Sequence, residues 1–406
     1  MSEIKFMPDN LGPENSNIKA IGVGGAGQNA VTYMYNEHIE GCTFIVCNTD
    51  AQALENSNVP VKIRMGKGLG AGCDPIKGRN AAEEAAEEIA EKVLGSHTDM
   101  LFVTAGMGGG TGTGAAPVIA AMAKKRGVLT VGVVTLPFRN EGRESIVKAV
   151  NGVRELEKNV DSLLVINNEK LYQVYGDFLA KDAYPKADEI LATAVRGIVE
   201  IIKKKGYVNV DMEDVKTMMH DSGVALMGIG IGSGENRLED AVRDAVISPL
   251  LNDFDLKTAK NMLINITSGS GEEGIRMRDL EEIDKLLEKY IGSANRFKRG
   301  LVYEEDEDFA DKVSITVIAT GFRMDALGGV TDESLGNIIN LTSDYEYAPE
   351  SEAIREGYCG NVKVGPSDSR NERRFSFQTE PALHAYNGGN LAELERTPSL
   401  KRIKSN

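Results

Sequence analysis

The residues best suited to chemistry lie in a glycine-rich turn that follows an apolar run. Met100–Pro117 reads MLFVTAGMGGGTGTGAAP, in which a β-type run leads into the turn and then into a helix start rich in small residues. Glycine lets the backbone adopt positive φ and approach a ligand closely, and free N–H groups at a helix start attract anions. The turn therefore predicts a phosphate-binding loop that needs no lysine. Its glycines and threonines are Gly106, Gly108, Gly109, Gly110, Thr111, Gly112, Thr113 and Gly114.

Two further glycine clusters occupy comparable positions. Gly22–Gly27 ends the first β-run and fits G-x-G-x-x-G, the dinucleotide-binding fingerprint, with Asp50 ending the next run. Gly66–Gly72 (GKGLGAG) lies between the second β-run and a predicted helix. Three glycine loops from separate βα turns suit a nucleoside triphosphate better than a single pyrophosphate. The P-loop pattern G-x-x-x-x-G-K-[ST] does not occur in the sequence.

The first glycine cluster alone also fits a dinucleotide-dependent oxidoreductase, which stays as the alternative hypothesis. Two observations weigh against it. A dehydrogenase does not need the larger loop at Gly106–Gly114, and the four histidines offer no obvious proton donor. Protection against heating by a nucleoside triphosphate rather than by NAD distinguishes the two hypotheses.

Several polar residues are suited to hold a ribose and a base. Glu141 and Arg143, which follow a β-run, can accept from ribose hydroxyls and pair with phosphate, or can be surface charges. Asn168, after the fifth β-run, and Asp188, in the predicted first turn of a long helix, lie where a base can bind. A carboxylate that accepts two N–H groups selects guanine over adenine. An acid at a helix start is also ordinary compensation of the helix dipole.

A pair of carboxylates follows the long helix in the segment Asn209-Val-Asp211-Met-Glu-Asp214. Asp211 and Asp214 share a helical face if a helix begins there, and paired carboxylates can orient and polarise a water for attack on phosphorus. The commoner meaning of this pattern is an N-cap, with Asp211 capping the next helix. Both interpretations remain open on spacing alone.

Composition narrows the class of protein. The chain has 406 residues, 41% of them hydrophobic, and a formal net charge of −15. We therefore expect no nucleic acid partner, because duplex binding needs a basic face. The apolar runs are too short to span a bilayer, so we expect no direct membrane insertion. Four cysteines without metal or disulfide spacing fit a reducing cytoplasm, and four scattered histidines predict no metal centre.

Alternating β-runs and helical patterns predict an α/β fold with a Rossmann-type parallel sheet covered on both faces, a long helix over Pro185–Gly206 and a second, smaller α/β domain. Pro185 suits the first turn of that helix and Gly206 its C-terminal cap. The predicted β-runs are Ile18–Gly24, Thr43–Asn48, Met100–Thr104, Leu129–Leu136, Leu163–Asn167, Ala225–Ile231, Asn261–Thr267, Asn295–Val302 and Ser314–Ala319, and other predicted helices include Asn80–Leu94, Ala115–Lys125, Glu239–Ser248 and Asp279–Ile291. The predicted divisions are a disordered N-terminus (1–17), a nucleotide-binding domain (18–184), the long helix and the start of the acidic loop (185–210), a C-terminal domain (211–322), a disordered linker (323–390) and a C-terminal docking peptide (391–406).

These segments, in this order, resemble the FtsZ family, the bacterial tubulin-like division GTPases. The resemblance covers residues 17–322 and rests on long motifs rather than on one fingerprint. The motifs are GVGGAGQNAV, NTDAQAL, GGGTGTG, GVVTLPFRNEGR, NVDMEDVK and ALMGIGIGSGENR. It implies a GTPase that polymerises head to tail into filaments of the division ring, with GTP, GDP and Mg²⁺ as ligands. It also implies a cytoplasmic protein located at midcell.

The resemblance also assigns roles to residues. Asn209, Asp211 and Asp214 fall on the catalytic segment, which in the family enters the site of the next subunit. Tyr184 falls where the family stacks an aromatic ring on guanine. The leucine-bearing, basic C-terminal peptide would bind a division protein that tethers the filament to the membrane. The nucleotide contacts implied are Gly24, Gly25, Ala26, Gly27, Asn29, Gly70, Ala71, Gly72, the glycines and threonines of Gly106–Gly114, Glu141, Arg143, Asn168, Tyr184 and Asp188.

Overall fold

The computed structural model of the chain describes residues 16–322, except 96, 170, 172–174, 176, 205, 248–255, 272–273, 292–295 and 306–308, and also 330–332 and 337–339. The strands are β1 Ile18–Val23, β2 Thr43–Asn48, β3 Val61–Arg64, β4 Met100–Gly106, β5 Leu129–Leu136, β6 Ser162–Asn167, β7 Gly223–Ser233, β8 Asn261–Gly269, β9 Arg296–Glu304, β10 Lys312–Phe322, β11 Val330–Asp332 and β12 Asn337–Ile339. The helices are α1 Gly24–Asn36, α2 Ala51–Asn56, α3 Pro75–Glu84, α4 Ala86–Lys92, α5 Thr111–Lys125, α6 Arg143–Glu157, α7 Ala180–Lys203, α8 Met212–Met219, α9 Arg237–Val246 and α10 Met277–Ile291.

Ten strands form one sheet in the order β3-β2-β1-β4-β5-β6-β7-β10-β8-β9. The strands from β3 to β7 along this order pair in parallel, which confirms the predicted parallel sheet. β10 is antiparallel to both of its neighbours, whereas β8 and β9 are parallel to each other. The second α/β region joins the first through the pairing of β6 with β7, where Ser162 lies opposite Gly223.

Both faces of the sheet are buried, as the continuous apolar runs predict. In β4, Leu101 and Val103 point into one core, which α3, α5 and α6 help to form. Met100 and Phe102 of the same strand point into the other core, together with residues of α1 and α7. Among the described residues, no helix combines the length and the apolar character that crossing a membrane requires.

The long helix α7 begins and ends earlier than the sequence predicts. Pro185 lies inside the helix and not in its first turn, and the C-cap is Lys204 and not Gly206. Gly206 serves a different purpose, because a Cβ at this position would lie 2.1 Å from the carbonyl oxygen of Leu301 on β9. The glycine allows the chain to pass close to that edge strand.

Other boundaries also differ from the predictions. The helix predicted over Asn80–Leu94 is divided into α3 and α4 at Ala85, where ψ is 8°. α5 begins at Thr111, so half of the predicted glycine loop is helical. β3 was not predicted, and β11 pairs with β12 inside the range predicted to be a disordered linker. The predicted docking peptide lies outside the described residues.

Close packing of α5 against the start of α3 requires glycine at position 114, and it gives the first prediction. A Cβ on Gly114 would lie 1.9 Å from the carbonyl oxygen of Pro75. We expect Gly114→Ala to destabilise the fold by roughly 1–3 kcal/mol or more through overpacking. Thermal unfolding without nucleotide measures this loss.

Gly109→Ala is the matched control, because a Cβ at Gly109 would meet no atom within 4 Å. Its stability should stay within about 0.5 kcal/mol of the wild type, as for ordinary surface substitutions. Equal unfolding temperatures for the two variants would show that the contact between α3 and α5 does not require glycine.

Candidate functional site

Two helix N-termini lie side by side at the carboxyl edge of the parallel strands. α1 follows β1, α5 follows β4, and these two strands are neighbours in the sheet. Neither N-cap residue, Val23 or Gly110, makes a side-chain capping bond, and neither helix has an acidic residue in its first turn. By contrast Asp50, Asp74 and Asp211 cap α2, α3 and α8. The uncapped pair presents N–H donors and positive dipole ends, which suit an anion.

The three glycine clusters meet at this edge. A Cβ on Gly24 would lie 2.9 Å from the amide nitrogen of Gly112, so the first cluster touches the start of α5. A Cβ on Gly110 would lie 2.7 Å from the nitrogen of Asp74 and 2.8 Å from Cβ of Ala71, which brings in the third cluster. The sequence prediction that three loops surround one ligand is consistent with this convergence.

The three glycine clusters and the starts of α1 and α5 together form a surface that we call the cradle. The glycines of the cradle fall into two groups. A Cβ at Gly25, Gly70, Gly72 or Gly109 would meet nothing within 4 Å, so these positions leave room beside the backbone for a ligand. The others are packed against neighbouring elements. Their backbones shape the cradle, and they are Gly27, Gly106, Gly108, Gly110, Gly112 and Gly114.

Three small side chains, those of Ala26, Thr111 and Thr113, complete the cradle. A Cβ on Gly106 would lie 2.6 Å from Cβ of Ala26, so glycine at 106 makes room for the alanine. Thr113 is buried, and its Oγ1 accepts a hydrogen bond from the N–H of Gly108 at 2.9 Å. Thr113 therefore holds the glycine loop in shape. Thr111 lies within hydrogen-bond distance of Thr49, with 2.6 Å between the hydroxyl oxygens.

Asn168 follows β6 at the same edge, and its own N–H donates to the carbonyl oxygen of Leu136 at the end of β5. Its side-chain Oδ1 is buried and has no hydrogen-bond partner among the described residues. Because a buried acceptor without a partner is unfavourable, this oxygen points to a ligand that donates a hydrogen bond. A ribose hydroxyl or a base N–H meets that requirement.

Glu141 and Arg143 flank the turn between β5 and α6. The carboxylate Oε1 of Glu141 accepts the N–H of Phe138 at 2.8 Å, so Glu141 caps a short 3₁₀ turn. Arg143 begins α6 and is exposed. Asn29 is also exposed, on the second turn of α1.

Asp188 lies well inside α7 and not in its first turn, so the helix-dipole interpretation is wrong. Burial raises the pKa of this carboxyl to about 6. Tyr184 lies one helical turn before Asp188, and its side chain is outside the described set. A half-buried carboxylate is suited to accept two N–H groups of a base.

The opposite edge of the sheet holds the C-terminal end of α7. Lys203, the last residue of the helix, donates through Nζ to Oδ1 of Asn17, just before β1, at 2.7 Å. His220, just after α8, places Nδ1 2.8 Å from Oδ1 of Asp161, which precedes β6. The segment between Lys203 and His220 is therefore anchored at both ends to the amino edge of the parallel strands.

The three predicted catalytic residues lie in that segment. Asn209 Oδ1 accepts the N–H of Gly206 at 2.7 Å. Asp211 is the N-cap of α8, and its Oδ1 accepts the N–H of Asp214 at 2.7 Å. Asp214 Oδ1 lies 2.7 Å from Nζ of Lys298 on β9. The capping interpretation of Asp211 is confirmed, and both carboxylates are held in fixed positions.

The structure thus brings the glycine loops together at the carboxyl edge of the parallel strands, whereas the predicted catalytic acids lie at the amino edge. α7 has 24 residues and spans about 36 Å, from the carboxyl edge to the amino edge. The contact of Lys298 with Asp214 could not be predicted, because no motif links a residue of β9 to one of α8.

Comparison with known proteins agrees with this arrangement. Residues 17–176 match the GTPase domain of the Tubulin/FtsZ family, and residues 223–323 match the C-terminal domain of the FtsZ family. The cell division protein FtsZ of Azotobacter vinelandii is 47% identical over 354 residues, which are 86% of each chain. The cell division protein FtsZ of Pseudomonas aeruginosa is 46% identical over 90% of this chain and 92% of its own.

Solved structures show the same fold. An empty FtsZ dimer of M. jannaschii superposes with a TM-score of 0.70 at 37% identity, covering 83% of this chain and 96% of its own. The GDP-bound monomer of CetZ1 from Haloferax volcanii has a TM-score of 0.65 at 22% identity over 75% of this chain and 94% of its own. This second likeness concerns the fold alone.

The raised pKa of Asp188 predicts a pH-dependent affinity. If Asp188 accepts the N–H donors of guanine, as the resemblance implies, binding needs the ionised carboxylate. GDP affinity should then be constant above pH 6 and fall roughly tenfold per pH unit below about 6. Calorimetric titration with GDP between pH 5 and pH 8, with the Kd determined at steps of about half a pH unit, measures this dependence.

Asp188→Asn is the matched variant. It should bind GDP weakly and lose the pH dependence. Without nucleotide it should unfold at a higher temperature than the wild type above pH 6, because the ionised buried carboxylate destabilises the fold there, by on the order of 2 kcal/mol. An unchanged pH profile in the variant would assign base recognition to another residue.

Proposed function

The chain belongs to the FtsZ family of tubulin-like cell division GTPases, and we propose that it hydrolyses GTP only at the contact between two subunits stacked head to tail. The observation that carries the proposal is the position of the acids. Asp211 and Asp214 lie at the amino edge of the parallel strands, whereas the glycine cradle lies at the carboxyl edge. In a stack, the amino edge of one subunit faces the carboxyl edge of the next.

The cradle of one subunit would hold the nucleotide. The open backbone at Gly25, Gly70, Gly72 and Gly109 and the uncapped starts of α1 and α5 suit the phosphates. Asn168 and Asp188 suit the ribose and the guanine. This donor set fits GTP or GDP, and Mg²⁺ bound to the phosphates would neutralise the charge that develops in phosphoryl transfer.

The neighbouring subunit would supply the acids. Asp214 would orient and polarise the attacking water, with Asp211 fixed beside it by the capping bond. Asn209 would hold the loop before α8 through its bond to Gly206. A heterologous contact that does not close on itself would add subunits into a filament. Hydrolysis is thereby coupled to assembly.

Two other functions have less support. A dinucleotide-dependent oxidoreductase would use the first cluster alone, whereas the three clusters converge on one cradle. A scaffold without hydrolysis would not need the pair of acids Asp211 and Asp214. The empty dimer of the M. jannaschii relative is in keeping with self-association.

We also propose that the filament acts at the division ring at midcell, in the cytoplasm. The C-terminal peptide (391–406) would bind a division protein that tethers the filament to the membrane. The leucines and basic residues of LAELERTPSLKRIK support this role.

Replacement of one catalytic acid tests the split site. Asp214→Asn should keep GTP affinity within roughly twofold and lower turnover by about 100-fold, because the acid lies far from the nucleotide of its own subunit. Steady-state hydrolysis and nucleotide titration of the same preparation measure the two quantities.

Glu213→Gln is the control, since Glu213 is the exposed neighbour of Asp214 on the same helix. It should leave both quantities near the wild-type values. Loss of nucleotide binding together with turnover in Asp214→Asn would place the acid in its own subunit's site and contradict the proposal.

Deletion of residues 391–406 tests the docking peptide. GTP hydrolysis and polymer yield should stay nearly unchanged, because the deleted residues include none of the proposed nucleotide contacts and neither acid, while recruitment to the membrane in cells should be lost. Fluorescence microscopy of the truncated protein, beside sedimentation of purified filaments, measures both. Normal ring localisation of the truncated protein would rule out the docking role.

A further inference from the structure

Lys298 contacts one of the two acids from a different part of the fold. It lies on β9, and its Nζ is 2.7 Å from Oδ1 of Asp214 on α8. The side chains are 50% and 26% exposed, so the pair faces the amino-edge surface. The hydrogen bond to Asp214 raises the pKa of Lys298, and the charges of Asp214 and Asp211 add to this shift. The lysine therefore carries its positive charge at neutral pH.

The need for a cation follows from the charges that meet in the stack. Two carboxylates approach a triphosphate, and like charges repel strongly at short range where water is excluded. The whole chain already carries a formal net charge of −15. A lysine bound to Asp214 reduces the local charge of the acidic pair from two negative charges to one.

The geometry also restricts Asp214. Its N–H is held by Asp211, and its carboxylate is held by a side chain from β9. Lys216 contacts Glu213 within the same helix at 2.8 Å, so it ties α8 only to itself. Lys298 instead connects α8 to the sheet, and it fixes where the carboxylate points relative to the amino edge.

We propose that Lys298 is a positioning residue for GTP hydrolysis in the neighbouring subunit. It orients Asp214 and supplies the counter-charge that lets the acidic pair approach the triphosphate. The inference rests on the proposed function, because it requires Asp214 to act across the contact between subunits. It adds a residue of β9 to the acids that the neighbouring subunit would supply.

Turnover per polymerised subunit tests this role in the full-length protein with GTP and Mg²⁺. Lys298→Met should lower turnover roughly five- to tenfold while GDP affinity of the monomer stays unchanged, since Lys298 lies at the far edge from its own nucleotide site. Lys298→Arg should restore at least about half of the activity, because it keeps the charge and the hydrogen bond. Lys216→Met is the matched control and should stay within about twofold of the wild type.

A variant that assembles poorly can be measured as a minor component. When about one subunit in ten carries Lys298→Met in wild-type filaments, turnover should fall in proportion to the fraction incorporated. Unchanged turnover per incorporated subunit would make Lys298 an ordinary surface ion pair and overturn the proposal. Faster turnover would show that the lysine restrains Asp214, and this too would overturn it.

Asp214→Asn, measured in parallel, separates this proposal from the proposed function. If Asp214→Asn is inactive and Lys298→Met is normal, only the positioning role fails. If Asp214→Asn retains full turnover, the split site itself fails, and the role of Lys298 fails with it.

Discussion

The direction of the parallel strands is the constraint on which the rest of the structure depends. Since β1 to β7 pair in parallel, every loop that follows one of these strands lies at one edge of the sheet and every loop that precedes one lies at the other. The uncapped starts of α1 and α5 and the side chain of Asn168 therefore meet at the carboxyl edge. α7 then crosses the sheet and delivers the acidic segment to the amino edge. This topology therefore separates the glycine loops at the carboxyl edge from the acidic segment at the amino edge.

Glycine has two distinct uses in the cradle. Gly27 and Gly114 let elements approach each other, since a Cβ would lie 2.2 Å from the carbonyl oxygen of Thr104 in the first case and 1.9 Å from that of Pro75 in the second. Gly25 and Gly109 have open space beside the backbone and leave it accessible. The first group holds the helix starts rigidly in place, and the second leaves room for an anion. A preorganised anion site needs both, because mobile donors would have to be ordered on binding.

The sequence predicts the strands well because they are buried on both faces and consist mostly of apolar residues. Every residue of β2 and β5 is buried. β3 escapes prediction because just one of its residues, Ile63, is buried. The predicted start of α7 is wrong because proline usually marks the first turn of a helix, whereas Pro185 lies inside this one. The same error placed Asp188 in the first turn. Contacts such as Asp214 with Lys298 depend on tertiary packing of distant segments. The roles of the acids came from resemblance to a family, since spacing alone favoured the N-cap that the structure contains.

The most direct test of a site divided between two edges is GTP hydrolysis per protein molecule as protein concentration is raised, with Mg²⁺ present and light scattering recorded alongside. A divided site predicts almost no hydrolysis below a threshold concentration and a steep rise above it, at the same concentration where scattering begins. Hydrolysis per molecule that stays constant at all concentrations, with no scattering, would mean that one subunit contains the whole site. Asp211 and Asp214 could then not act across a contact between subunits.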